Sequence, residues 1–253
     1  MIELQSQQMI FGLHPVMEAI DAGREISKIL LRKGLAGDMV GELMAMMRQR
    51  EIPSQIVPVE KLNRVTRKNH QGVIAFISPI EYVRIENLIP SIFEKGEEPF
   101  IVACEGVTDI RNIGAIARSA ECAGAHALLL PAKGSAMISA DAVKASAGAL
   151  NHIAVCRTEN MKATLTFLKN SGLKIIAASE KASEIYHQAD LSGPAVLLLG
   201  AEDTGISPEI LRVADIIVKI PVNGKITSLN VSAAATVLMY EMVKQKLTIE
   251  NAS

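Results

Sequence analysis

From residue 100 onward the chain alternates short, unbroken apolar runs with longer stretches of helical spacing. Residues 100–104, 126–130, 152–156, 173–178, 195–199 and 215–220 read as strands. The runs at 127–130 and 195–199 have no polar alternation, as expected of strands covered on both faces. Residues 112–123, 139–150 and 159–170 read as the intervening helices, and a closing helix runs from about Ser228 to Lys246. Strand and helix in alternation predict an α/β domain with a mostly parallel sheet.

Upstream, apolar runs at 26–31, 55–59 and 72–78 read as strands. Residues 15–22 and 38–50 carry helical spacing, the latter through Met39, Leu43, Met46 and Met47. That is a smaller α/β domain over 1–78. Between it and the second domain at 99–253, Pro79, Pro90, Gly96 and Pro99 interrupt residues 79–98, which read as a linker without a long regular element.

Composition narrows the function less than the pattern does. A 253-residue chain that is 49% hydrophobic can bury a core without disulfides or metals. Cys104, Cys122 and Cys156 are odd in number and widely spaced, which fits neither a disulfide framework nor a Cys-x-x-Cys site and points to a reducing, cytoplasmic setting. Met1 to Gln5 lacks the basic and apolar regions of a leader, and no run approaches the roughly 18 apolar residues of a membrane span. A soluble, non-exported protein is expected. Net charge is −1; residues 1–78 hold ten Lys plus Arg against eight acids, so that segment is +2 and the remainder −3. This excludes a generic polyanion coat and leaves room for a local basic patch. Lys61, Arg64, Arg67, Lys68 and His70 form the densest basic stretch, either a solvated helix face or a phosphate-facing one.

Three polar, glycine-bearing segments follow buried strands of the second domain: 105–114, 200–205 and 221–230. In an open α/β sheet, ligands bind beyond the strand C-termini. Each segment also has a structural reading. Asn112 could cap the helix at 112–123. Arg118 is a lone cation in a helix of small and apolar residues, which either snorkels or meets an anion such as phosphate. Glu202 stands at the mouth of a buried strand, as a turn acid or a functional carboxylate. Ser228 and Asn230 could both cap the last helix, yet one helix needs only one cap.

The five histidines show no metal-ligand spacing, so no metal is expected. Dinucleotide, nucleoside-triphosphate and serine-hydrolase signatures are absent; residues 200–205 have phosphate-loop glycine spacing, but Ile206 stands where the lysine belongs.

Taken together, the three segments resemble the three motifs of the SpoU family of RNA ribose methyltransferases, within the SPOUT superfamily. The first appears as Asp109-Ile-Arg-Asn-Ile-Gly-Ala-Ile-Ala-Arg118, the second as Leu198-Leu-Gly-Ala-Glu-Asp-Thr-Gly205, and the third as Ile220-Pro-Val-Asn-Gly-Lys-Ile-Thr-Ser-Leu-Asn-Val-Ser232. Phe11-Gly-Leu-His-Pro-Val and Asn69-His-Gln-Gly-Val-Ile resemble segments of the family's ribosomal-protein-like RNA-binding domain, so the likeness covers nearly the whole chain. The two-domain arrangement is most similar to the branch that methylates a guanosine ribose in 23S ribosomal RNA. Ile110 departs from the family pattern, which has proline there.

The resemblance implies a deep trefoil knot near the C-terminus and a homodimer in which the last helix packs, with Met239, Val243 and Leu247 as its exposed apolar positions. It implies S-adenosyl-L-methionine held by main chain at Gly200, Ile220 and Leu229. It also implies a catalytic set of Asn112, Arg118, Glu202, Ser228 and Asn230. An arginine stays protonated, so Arg118 is better suited to bind phosphate and stabilise a developing oxyanion than to act as a base. The alternatives are a transfer RNA 2′-O-methyltransferase of the same family, a non-catalytic RNA-binding ribosome assembly factor, and a small-molecule transferase using the same donor.

Overall fold

A computed structural model describes residues 9–226 and 228–251. The N-terminal residues read above for a leader, and Thr227 of the third motif, lie outside the described residues. The chain divides into two compact units. One ends at Glu81 and also takes in Met137–Asp141; the other spans Tyr82–Ala136 and resumes at Ala142.

The first unit runs β1 (Met9–Phe11), α1 (Leu13–Asp21), β2 (Ile26–Arg32), α2 (Asp38–Gln49), β3 (Ser54–Val57), α3 (Val59–Val65) and β4 (Val73–Ile77). Its sheet has the order β1-β4-β2-β3, with β4 antiparallel to β1 and β2, and β3 parallel to β2. Val16, Ile20, Leu43 and Met47 of α1 and α2 pack on Ile29, Leu31, Val73 and Ala75. On the other side, Leu62 of α3 joins Leu30, Val57, Ile74 and Phe76. β1 and α3 are too short for their period to emerge from the sequence. The basic stretch is therefore helix as far as Val65 and loop beyond.

The second unit runs α4 (Ile85–Glu94), β5 (Phe100–Cys104), α5 (Ile110–Cys122), β6 (Ala127–Pro131), α6 (Ala140–Ala145), β7 (Ala154–Thr158), α7 (Met161–Asn170), β8 (Lys174–Ala178), β9 (Glu184–Ile185), β10 (Ala195–Leu199), α8 (Pro208–Leu211), β11 (Ile216–Lys219) and α9 (Val231–Glu250). Its seven strands form one parallel sheet ordered β7-β6-β5-β10-β8-β11-β9. The α/β fold with a parallel sheet is as the apolar pattern predicts. β10 lies between β5 and β8, so the strands before it fan to both sides and the switch in order falls at β5–β10. Ile101, Val102, Ala103 and Val196, Leu197, Leu198 are fully buried there.

Three expectations are corrected. Residues 79–98 are not an irregular linker. α4 occupies half of them despite Pro90, and Ile85, Ile89 and Ile92 are each 2% exposed. Burying three isoleucines contributes about 1.5–3 kcal/mol each, which outweighs the roughly 3 kcal/mol cost of an internal proline. The helix expected over 139–150 ends at Ala145, because Ala147 and Gly148 take positive φ (51° and 92°) before a short 3-10 turn at Ala149–Asn151. Met239 is not an exposed position of α9 but is fully buried; Tyr240 and Leu247 are exposed. With α9 packed lengthwise on α5, the turn containing Met239 faces inward.

Candidate functional site

All three glycine-bearing segments leave C-terminal ends of parallel strands. Glu105 follows β5 and Gly200 follows β10, and these strands are neighbours in register, with Leu199 opposite Cys104. The Glu105 N–H donates to the Leu199 carbonyl at 2.8 Å, so the first two segments depart side by side. Ile220 follows β11.

The Glu105 carboxylate then straps the loops together, accepting from the Ser207 N–H (3.0 Å) and Oγ (2.7 Å). Sequence reasoning passed over both residues. The available signal was Ser207-Pro208, a capping residue before proline at the start of α8.

Two glycines are fixed by close approach. A Cβ on Gly114 would stand 2.6 Å from the Ala145 Cβ and 2.8 Å from its carbonyl carbon; one on Gly200 would stand 2.3 Å from the Gly205 carbonyl carbon and the Ile206 nitrogen. Gly114 thus lets α5 lie against α6, while Gly200 lets the Ala201–Gly205 turn fold back on the end of β10.

Helix α5 is capped by Asp109, which accepts from the Arg111 N–H at 2.8 Å, so Asn112 is not the cap. Ile110 is the first residue of α5, a position that tolerates proline but does not require it. Hydrogen bonds from the Arg111 side chain, then from its N–H, hold the Asp109 carboxyl below the usual carboxylate range.

Freed from capping, the Asn112 Nδ2 donates to Glu202 Oε1 at 2.8 Å across 90 residues of sequence. Asn230 closes the triangle: its Nδ2 donates to Glu202 Oε1 at 2.6 Å and to Asn112 Oδ1 at 3.1 Å. Its Oδ1 accepts from the Ser232 N–H and Oγ, capping α9. Asn230 therefore caps and bridges at once. Because backbone N–H of Ser232 is necessarily a donor, the Asn230 amide can only present its nitrogen to the other two residues. Lower down, Ser119 Oγ and Thr236 Oγ1 meet at 2.7 Å and tie α5 to α9.

The other two expected polar residues stand outside this triangle. Ser228 is exposed and has no hydrogen-bond partner among the described residues. Arg118 is exposed and likewise unpartnered; it lies seven residues from Arg111, which returns to the same face of α5. Asn112 is joined to Glu202 and Asn230 rather than to Arg118.

Gly200 and Ile220 are part-buried, and Leu229 is exposed just before α9. Val222, Ile226 and Leu229 leave three exposed apolar side chains in the loop that joins β11 to α9. Main-chain groups at strand ends beside apolar side chains suit a ligand with an apolar face and a polar edge.

Among the described residues no His, Cys, Asp and Glu group could hold a metal. Burial pushes the Cys104 and Cys156 thiols up to about 12, which removes both as nucleophiles near neutral pH. In the first unit, Lys28 is held below the usual ammonium range by burial and then by the charge of Lys61.

Comparison with known proteins finds family matches over both units. Residues 99–240 match the SpoU rRNA Methylase family, and residues 9–83 match the RNA 2′-O ribose methyltransferase substrate-binding family. A relative from Bacillus subtilis (strain 168), named for the TrmH family of tRNA/rRNA methyltransferases, is 30% identical over 242 residues, covering 96% of this chain and 97% of its own. An AdoMet-bound rRNA methyltransferase from Sinorhizobium meliloti superimposes with a TM-score of 0.59 at 27% identity, covering 93% of this chain and 86% of that one. The A. aeolicus TrmH/SpoU tRNA modifying enzyme gives 0.55 at 29% identity, covering 65% of this chain and 85% of that one.

Proposed function

Because the chain belongs to the SpoU rRNA methylase family, we propose that this S-adenosylmethionine-dependent RNA methyltransferase methylates a ribose 2′-hydroxyl, that of a guanosine in 23S ribosomal RNA. The observation that carries the reading is the triangle of Asn112, Glu202 and Asn230, which draws one residue from each motif to the ends of the parallel strands. Ribosomal RNA is favoured because the likeness to the rRNA enzyme spans both units, whereas the tRNA modifying enzyme matches 65% of the chain. The transfer RNA reading stands second, since the relatives' family name covers both substrates.

The donor site is assigned to main chain at Gly200, Ile220 and Leu229, with the apolar side chains of the β11–α9 loop against the adenosyl face. The bound donor supplies an electrophilic methyl group on a sulfonium. The chain's own residues position and polarise the acceptor. Arg118, exposed and without a partner among the described residues, is free to bind a backbone phosphate and stabilise negative charge on the ribose oxygen as its proton passes to that phosphate or to water. Asn112, Glu202 and Asn230 fix the three loops relative to one another, so that positioning supplies much of the catalysis. Ser228, two residues from Asn230 in the same segment, is assigned to hold the same network. The same reading includes a trefoil knot threading the last segments, a homodimer packed through α9, and action in the cytoplasm.

The test is equilibrium binding of S-adenosylmethionine, then transfer of labelled methyl to deproteinised ribosomal RNA and to bulk transfer RNA. A ribose product survives alkali as an intact dinucleotide. Label in alkali-sensitive mononucleotides or on free base refutes ribose chemistry, RNA binding without donor binding favours an assembly factor, and transfer RNA labelled alone selects the second reading.

A further inference from the structure

The first unit contains a cleft of about 380 Å³, lined by Arg32, Asn63, Lys68, His70, Gln71 and Gly72 among others. Its floor is an unusually fixed turn. Gln71 and Gly72 both take positive φ (49° and 85°), and a Cβ on Gly72 would come within 2.9 Å of the Leu35 Cδ1 and 3.2 Å of the Arg32 Cβ. A non-glycine residue held in the left-handed region is strained, and such strain is retained where the surroundings enforce it.

The hydrogen bonds that enforce it also settle which atoms are left over. The Gly72 N–H donates to His70 Nδ1 at 2.9 Å, so that nitrogen is an acceptor and Nε2 carries the proton. Nε2 lies 2.9 Å from Asn63 Oδ1, which therefore accepts and leaves the Asn63 Nδ2 unpaired. The Leu13 N–H donates to Gln71 Oε1 at 3.2 Å, which leaves the Gln71 Nε2 unpaired in the same way. Both amides have spent their acceptors on the fold and keep their donors. Lys68 sits 5.6 Å from the centre of the Phe11 ring, and neither it nor Arg32 has an acidic partner among the described residues. Among the described residues no carboxylate lines the cleft.

A concave site offering two cations and two amide donors, and no acidic acceptor, selects a ligand rich in acceptors. Resting on the reading of the chain as an RNA methyltransferase, we infer that this cleft captures one unpaired nucleotide of the RNA, with its phosphate on Arg32 and Lys68 and its base on Asn63 and Gln71. Uracil presents O2 and O4, guanine O6 and N7, and cytosine O2 and N3 to a pair of donors, whereas adenine has no carbonyl and sets its amino donor beside both N1 and N7. The cleft is therefore a reader of carbonyl-bearing bases against adenine, on the unit that carries none of the methylation motifs.

Single-stranded oligouridylate, oligoadenylate and oligocytidylate of equal length test this by equilibrium binding to the full-length protein, without any methyl transfer. The wild type binds oligouridylate and oligocytidylate more tightly than oligoadenylate. Gln71→Glu and Asn63→Asp keep the internal acceptor oxygens and replace the free donors by acceptors. Each weakens oligouridylate binding about tenfold and erases the preference. Arg32→Gln, which touches no internal hydrogen bond, weakens all three equally and lowers the salt slope by about 0.7. Absence of a preference over oligoadenylate in the wild type, or its survival in both amide variants with unchanged melting temperatures, overturns the inference. Failure to methylate any RNA while the preference holds sinks the catalytic reading and leaves the cleft standing.

Discussion

Replacing Asn230 by aspartate isolates the contact on which the site depends. The carboxylate still caps α9, since aspartate caps as well as asparagine, and a negative charge at a helix N-terminus contributes up to about 1 kcal/mol. What changes is the other arm. The Nδ2 that donates to Glu202 Oε1 at 2.6 Å and Asn112 Oδ1 at 3.1 Å becomes an acceptor facing two acceptors. Two lost hydrogen bonds cost about 1 kcal/mol each. Two carboxylates about 4 Å apart repel by about 1 kcal/mol in water-like surroundings, and exposure of Asn230 and Glu202 keeps the value near that limit. The net loss is about 2–3 kcal/mol, or roughly 4–12 °C in melting temperature. Asn230→Ser is the control, because it retains a capping oxygen without the charge. The repulsion needs both carboxylates ionised, so the gap between the Asp and Ser variants is full at pH 7 and closes as pH falls through the carboxylate range. Thermal melts from pH 7 to pH 4 read it directly. If the two variants melt together at every pH, the Asn230 side chain does not face Glu202 in solution and the triangle is wrong.

Arg118→Ala lowers the turnover number about 100-fold or more while melting within about 0.5 kcal/mol of wild type and binding donor within a few-fold, because the side chain has no partner to lose among the described residues; a large fall in melting temperature contradicts its free state. Gly200→Ala destabilises more than Gly114→Ala, since its Cβ would stand hard against the Gly205 and Ile206 backbone, whereas that on Gly114 comes no nearer to backbone than 2.8 Å; overpacking costs about 1–3 kcal/mol, and only Gly114 recovers about 1 kcal/mol from helix propensity. Urea titration ranks the two. Hydrogen bonds from Ser192 first and Lys174 next lower Asp190 from 3.8 to about 2, so its contribution is present above pH 3.8 and lost as pH falls toward 2. Asp190→Asn therefore melts below wild type at pH 7, and the difference shrinks between pH 4 and pH 2.

Much of the second unit was legible because its strands are buried on both faces, and such strands leave continuous apolar runs: the expected bounds at 100–104 and 195–199 coincide with β5 and β10. The motifs marked the loops after those strands for the same reason, since polar and glycine residues cluster where buried runs stop. Local sequence failed where long-range packing outweighs propensity. Pro90 argues against a helix over any window of its neighbours, yet the core provides a place for Ile85, Ile89 and Ile92 that no local pattern announces. Nor does an asparagine at 112 reveal whether it caps or bridges. Asp109, three residues earlier, takes the cap, and the partner that claims Asn112 lies 90 residues away on a loop brought alongside by the pairing of β5 with β10. The sequence by itself determined which residues could form hydrogen bonds and which runs had to be buried, because side-chain chemistry and hydrophobicity are local properties. Only the tertiary structure decided which donors met which acceptors, because strand order places residues from distant segments within the few ångströms over which a hydrogen bond acts.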